Sequence, residues 1–324
     1  MSKAAGKQTA ATPAANTESA GNQAIGHGAF SPTGATLLGM SSVLMWGATV
    51  GLLRSISEIF GPVGGAALVF STSALFATFA LGMPRWRDLP RAYLWGGGLL
   101  FIAYEICLAL ALGFAHDRGQ AMELGMINYL WPSLTIVLAV LSRQHRGSWL
   151  LLPALALCFA GIVWVMKGQG DWSVVQMWRN VQGNPIAYAL ALAAAFLWAG
   201  YSVLTRRFGK GRNAVPLFLL GTSVLLWSQY ALSSEPALTL NLGGAGQVML
   251  LGGLTAAAYS CWNHGMQHGN FTLLATASYF TPVLSALLAS LWLGVQPGVG
   301  FFYGALMVTL GSLLCWWATR ARRA

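Results

Sequence analysis

What this chain lacks most is charge. Only 8% of its 324 residues are Asp, Glu, Lys or Arg, against about 25% in an ordinary soluble protein. Acidic residues number 8, too few and too scattered for the clustered carboxylates that an intramembrane enzyme would use on a lipid or isoprenoid substrate. Cysteine is also sparse. Cys107, Cys158, Cys261 and Cys315 all fall in apolar runs and no two have C-x-x-C spacing, so they read as small packing residues, with neither a disulfide framework nor a metal site. No Walker lysine motif is present, which argues against ATP as a drive and leaves no cofactor to expect. No apolar h-region precedes the first long apolar run, so no signal peptide is expected.

What is present is hydrocarbon: 56% of the residues are hydrophobic and the mean hydropathy is +0.60. With about twenty apolar residues per crossing, spans fall near Thr33–Leu53, Gly61–Met83, Pro90–Phe114, Gly119–Leu141 and Ser148–Met166. A second set follows near Pro185–Thr205, Ala214–Ser233, Gly243–His264, Gly269–Leu293 and Gly298–Thr319. The expected fold is therefore an all-α membrane protein of about ten transmembrane helices. Residues 1–32, rich in Ala, Gly, Ser, Thr and Asn, are expected to be a disordered cytoplasmic tail. Residues 320–324 form a basic tail.

The net charge of +10 would suit nucleic acid, but its placement does not. If the N-terminus is cytoplasmic, the inside segments hold Lys3, Lys7, Arg85, Arg87, Arg91, Arg143, Arg146, Arg206, Arg207, Lys210, Arg212, Arg320, Arg322 and Arg323, which is 14 of the 18 basic residues. Only Arg54, Arg118, Lys167 and Arg179 lie outside. This is the positive-inside asymmetry, with both termini cytoplasmic.

Proline breaks two of the spans. Pro132 has no amide hydrogen, so the carbonyl of Asn128 loses its helical partner and the helix bends. Pro282, in Ser278-Tyr279-Phe280-Thr281-Pro282, repeats the pattern 150 residues later, and Gly119 with Gly269 keeps that offset. Trp46 and Arg54 match Trp198 and Arg206 at 152. Two five-span halves, 33–167 and 185–319, must enter the membrane in opposite senses, and such inverted repeats place a substrate site near the midplane, where the halves meet. Residues 168–184 link them; Trp172, Val175 and Trp178 recur there at helical spacing, as in an interfacial helix.

Two carboxylates fall within spans. Glu123 sits in the first turn expected of the fourth span, where a helix N-terminus favours an anion. Glu105, some fifteen residues into the third, is the candidate for a substrate ammonium or a coupling proton, the other reading being a neutral Glu hydrogen-bonded to a neighbouring helix. Trp46, Tyr104, Tyr129, Trp131, Trp198, Tyr259, Trp262 and Tyr279 lie in mid-span rather than at the interfaces where Trp and Tyr concentrate. They read either as packing between helices or as walls of a wet cavity suited to a ring and an amine, through contacts worth about 0.5 to 2 kcal/mol each. The amides Asn128 and Asn263 can serve an ammonium and a carboxylate, or join helices. His264 and His268 are four apart but have no third ligand beside them, so no metal is expected. Gly47 with Gly51 and Gly300 with Gly304 are small-xxx-small pairs for close helix approach.

The strings Met126-Ile127-Asn128-Tyr129-Leu130-Trp131-Pro132-Ser133-Leu134-Thr135, Tyr104-Glu105-Ile106-Cys107-Leu108-Ala109-Leu110 and Trp262-Asn263-His264-Gly265, followed by His268-Gly269-Asn270, resemble the drug/metabolite transporter superfamily with two EamA-type repeats. Within it they are most similar to the YddG-type aromatic amino acid exporters. The resemblance spans about residues 33–319. It implies a ten-helix protein of the inner-membrane lipid bilayer that exports aromatic amino acids; the leading expectation is a secondary transporter that moves amino acids, aromatic ones included, outward by alternating access, with the spans kinked at Pro132 and Pro282 as gates. On the same scaffold the alternative is export of other metabolites or cationic drugs. A single copy of the chain is compatible with this reading.

Overall fold

The computed structural model describes residues 31–143, 148–167, 174–210 and 212–320, and all regular structure among them is helical. The expected tail over residues 1–30, the linker residues 168–173 with Trp172, residues 321–324 and the side chain of Asn263 lie outside the described residues. The first half runs α1 (Pro32–Gly47), α2 (Thr49–Phe60), α3 (Pro62–Leu81), a π-helical turn (Ala92–Gly97) leading into α4 (Gly98–Gly113), α5 (Arg118–Asn128), α6 (Trp131–Leu141) and α7 (Leu151–Lys167). The short α8 (Val174–Gly183) precedes α9 (Pro185–Phe208), α10 (Val215–Leu232), α11 (Leu242–His268), α12 (Phe271–Ser278), α13 (Thr281–Leu293) and α14 (Val299–Arg320).

Among the described residues, seven helical runs are long and apolar enough to cross a membrane: Pro32–Phe60, Pro62–Leu81, Ala92–Gly113, Arg118–Leu141, Pro185–Phe208, Val215–Leu232 and Val299–Ala318. Leu151–Met166 and Thr281–Leu293 are apolar but shorter. The chain is thus a multi-pass membrane protein. Its first crossing outlasts the expected end at Leu53 and continues to Phe60, because Arg54 and Glu58 find charged and carbonyl partners there.

Helix starts are set by residues that satisfy otherwise orphaned amides. Asp117 accepts from the Gln120 amide at 2.7 Å and Asn241 from the Gly244 amide at 2.7 Å, capping α5 and α11. Pro62, Pro185 and Pro216 each occupy the opening turn of a helix, where the missing N–H costs nothing. The turn into α3 needs Gly61, whose φ is +80°, and the Glu235 carboxylate there accepts from the Val63 and Gly64 amides, both at 2.9 Å. Outward-facing positions such as Phe79, Leu232 and Leu291 stay exposed as apolar surface, as a lipid solvent requires.

The halves interleave. α1 packs on α11, α4 on α9, α3 on α10 and α11, α7 on α14, and α13 on α1 and α2. Small residues bring α7 and α14 close together. A Cβ on Gly161 would lie 2.7 Å from the Gly304 carbonyl oxygen and 2.9 Å from the Val308 nitrogen. A Cβ on Gly311 would lie 2.8 Å from the Ala154 oxygen and 2.9 Å from the Cys158 nitrogen. Adding 150 to 161, and subtracting it from 304 and 308, turns the first set of contacts into the second. On α3 and α10, Ser71 and Ser223, 152 apart, meet hydroxyl to hydroxyl at 2.8 Å. Gly47 and Gly51 lie against Leu284, Leu288, Ala289 and Trp292 of α13.

Candidate substrate cavity

Both proline-bearing spans are interrupted just before the proline. α5 ends at Asn128 and α6 begins at Trp131, and α12 ends at Ser278 with α13 beginning at Thr281. Pro132 and Pro282 therefore sit in the first turns of new helices, the one interior place where proline's geometry fits. Tyr129 and Leu130 bridge the first break with tight-turn bonds, Tyr129 N to Met126 O at 3.1 Å and Leu130 N to Ile127 O at 3.1 Å.

Beside that break lies a cavity of about 60 Å³, lined by both halves. Trp46, Thr49, Val50 and Leu53 come from α1 and α2, Tyr104, Glu105 and Leu108 from α4, Asn128, Tyr129 and Trp131 from the broken fourth span, Trp198 from α9, Leu251, Thr255 and Tyr259 from α11, and Thr281 from α13. Its rings touch one another. The ring of Trp198 lies 4.6 Å from that of Tyr104 and meets Trp131 edge-on at 6.2 Å, while Trp46 meets Tyr259 edge-on at 5.8 Å, all within the range of favourable aromatic pairs.

Two polar groups face the rings. Glu105, buried on α4, accepts a hydrogen bond of 2.6 Å from the Tyr259 hydroxyl on α11. That bond uses one carboxyl oxygen and ties the halves together. Asn128 is 4% exposed and its Oδ1 has no hydrogen-bond partner. An orphaned buried acceptor costs about 1 to 3 kcal/mol, a cost that a ligand N–H would relieve.

Eight of the residues singled out from sequence thus line one cavity: Trp46, Tyr104, Glu105, Asn128, Tyr129, Trp131, Trp198 and Tyr259. Trp262 stands one layer back, its ring 5.2 Å from that of Trp46, and Tyr279 is buried without lining the cavity. Glu123 is not in the first turn of its helix. α5 begins at Arg118 because Asp117 caps it, which puts Glu123 in the second turn, accepting a 2.8 Å bond from the Tyr188 hydroxyl of α9. The rings of His264 and His268 lie 4.7 Å apart, and no group of three metal-ligating side chains occurs among the described residues.

Sequence reasoning missed Phe101 and Tyr201. Phe101 is fully buried and its ring contacts those of Trp198, Tyr201, Phe218 and Tyr259. With no polar handle it gives no mid-span anomaly. Tyr201 stacks on Trp198 at 5.1 Å, a contact its spacing of three on one helix would have indicated.

Residues 185–317 match the EamA-like transporter family. The chain is 44% identical over 288 residues to the aromatic amino acid exporter YddG of Salmonella typhimurium, covering 89% of this chain and 98% of the relative. It is 44% identical to the Escherichia coli protein of that name over 88% and 98%, and 29% identical to that of Ancylobacter novellus over 80% and 88%. A crystal structure at 25% identity superposes with a TM-score of 0.64 over 88% of this chain and 98% of its own. The cavity shared by two halves, the paired proline breaks and this near full-length similarity agree: the chain belongs to the EamA-like transporters of the drug/metabolite transporter superfamily.

Proposed function

We propose that this protein is a secondary transporter that exports amino acids, aromatic ones included, across the bacterial inner membrane by alternating access. The observation that carries the reading is a ring-walled pocket holding one buried carboxyl, Glu105, and one unsatisfied amide oxygen, that of Asn128. Rings suit a flat apolar side chain, and the two oxygens suit an ammonium. The names of the 44% identical relatives point the same way. At about 60 Å³ the pocket is well below the roughly 300 Å³ or more of a formed ligand site, so it must widen to take an amino acid. The breaks at Pro132 and Pro282 provide joints for that motion.

Ten crossings in two inverted five-helix repeats, 33–167 and 185–319, are the architecture we infer. The exchange-symmetric contacts of α7 with α14 and the meeting of Ser71 with Ser223 support it. Basic residues on one side support cytoplasmic termini. One copy of the chain, acting without ATP, metal or chemical conversion, suffices for this mechanism. Purified protein in liposomes is expected to give saturable phenylalanine or tryptophan flux, insensitive to ATP and to chelators and competed by other aromatic amino acids. Flux no higher than in empty liposomes for every amino acid tried would return the site to other metabolites or cationic drugs.

A further inference from the structure

A second, smaller cavity adjoins the first. It shares Val50 and Tyr129 with it and lies among α2, α5, α13 and α14, lined also by Met122, Gly125, Ser285 and Ala289. The register of the antiparallel α5 and α13 sets the levels. Asn128 and Thr281 border the central cavity, Gly125 and Ser285 the second, and one turn further Met122 and Ala289 close its far side. One more turn along each helix come Arg118 and Leu293, and there Arg118 Nη1 donates to the Leu293 carbonyl at 2.8 Å. The same guanidinium grips Glu58 of α2 with Nη2 to Oε2 at 2.7 Å and Nε to Oε1 at 3.1 Å. Glu58 in turn holds Arg54 at 3.0 Å, whose Nη1 donates to the Ala115 carbonyl beyond α4 at 2.6 Å. Cations at the ends of α4 and α13 meet the negative ends of the helix dipoles. One carboxylate between two arginines thus joins the ends of four helices from both halves, directly above the seam.

We propose that the seam between α2, α5 and α13 is the path by which substrate passes between the central cavity and that end of the bundle, with Tyr129 as its inner plug and Arg118 as its outer latch. This rests on the transporter reading above. The side chain of Arg118 is half exposed, so the latch is weak enough to open. A half-exposed ion pair such as Arg118–Glu58 shifts an equilibrium by about fivefold, and salt weakens it.

The test uses the full chain in liposomes carrying Ser285→Cys, a near-isosteric change on the second cavity, with labelling of position 285 by a water-soluble maleimide followed by peptide mass spectrometry. Adding Arg118→Ala is expected to speed labelling about fivefold, and Glu58→Gln to do the same. Raising the salt should speed labelling in the parent and have little effect in the Arg118→Ala variant. Ser312→Cys, in the α7–α14 contact, is the control for general loosening and should keep its rate. Unchanged labelling at 285 in variants that remain monodisperse, or an equal rise at 312, overturns the latch. Phenylalanine flux measured on the same liposomes separates the two readings. Absent flux with the fivefold rise intact removes the substrate assignment and keeps the latch, whereas normal flux with flat labelling removes the latch alone.

Discussion

Glu105 does two jobs with two oxygens. One accepts from Tyr259 and so joins α4 to α11; the other is left for whatever enters the cavity. Glu105→Gln separates the jobs, because the amide oxygen can still accept from Tyr259 while the charge and the exchangeable proton are gone. Flux in this variant is expected to fall by about tenfold or more and to change in its dependence on pH, with expression and melting temperature close to the parent. A parent-like pH profile in the variant would return Glu105 to a purely structural role. Tyr259→Phe is the companion measurement. It strands the bonded oxygen and so should cost stability, about 1 kcal/mol, as well as flux.

Among the elements, the α7–α14 pair is the most sharply constrained by backbone. Gly161 and Gly311 each face a carbonyl oxygen closer than 3 Å to where a Cβ would stand, and neither neighbour is a flexible side-chain end. Alanine at either position must push the helices apart. The expected result is a loss of about 1 to 3 kcal/mol for each, similar in size because the contacts are related by exchange, read as a drop in detergent melting temperature. Gly246→Ala is the contrast: nothing lies within 4 Å of its Cβ position, and a helical Gly→Ala change in open space is neutral or stabilising. Equal melting temperatures for Gly161→Ala and Gly246→Ala would refute this account of the crossing. The interruptions before Pro132 and Pro282 need no such crowding, since the missing amide hydrogen alone removes the helical bond.

For the whole molecule, the ten crossings we propose would put both chain ends on one side. Fluorescent-protein fusions at either terminus should fold and fluoresce in the cytoplasm, and alkaline phosphatase inserted within residues 168–173 should be active on the other face. Phosphatase activity at the C-terminus would break the ten-span topology. The helical, multi-pass membrane character was legible in the sequence because hydrocarbon length and proline act locally. Eight cavity residues were legible too, since a Trp, Tyr, Glu or Asn deep in an apolar run is anomalous by itself. Phe101 was not, because an apolar ring in an apolar span is unremarkable until its neighbours are known. The Arg54–Glu58–Arg118 cluster was not: Arg54 and Glu58 are an i, i+4 pair on α2, but Arg118 is 60 residues from Glu58 and only the packing of α2 against α5 and α13 brings it there. Glu235 was hidden for the same reason, its partners lying 172 and 171 residues away.

The meeting of Ser71 with Ser223 carries one more implication. Ser71 has a single proton and directs it to the Ala67 carbonyl at 2.7 Å, while the indole N–H of Trp227 donates to its oxygen at 2.8 Å. With that proton turned to Ala67, Ser223 is the giver and Ser71 the receiver, and two positions that the proposed duplication would make equal take unequal parts. In that arrangement, removing the hydroxyl of Ser71 would strand two donors and removing that of Ser223 none, so the two serines are not interchangeable.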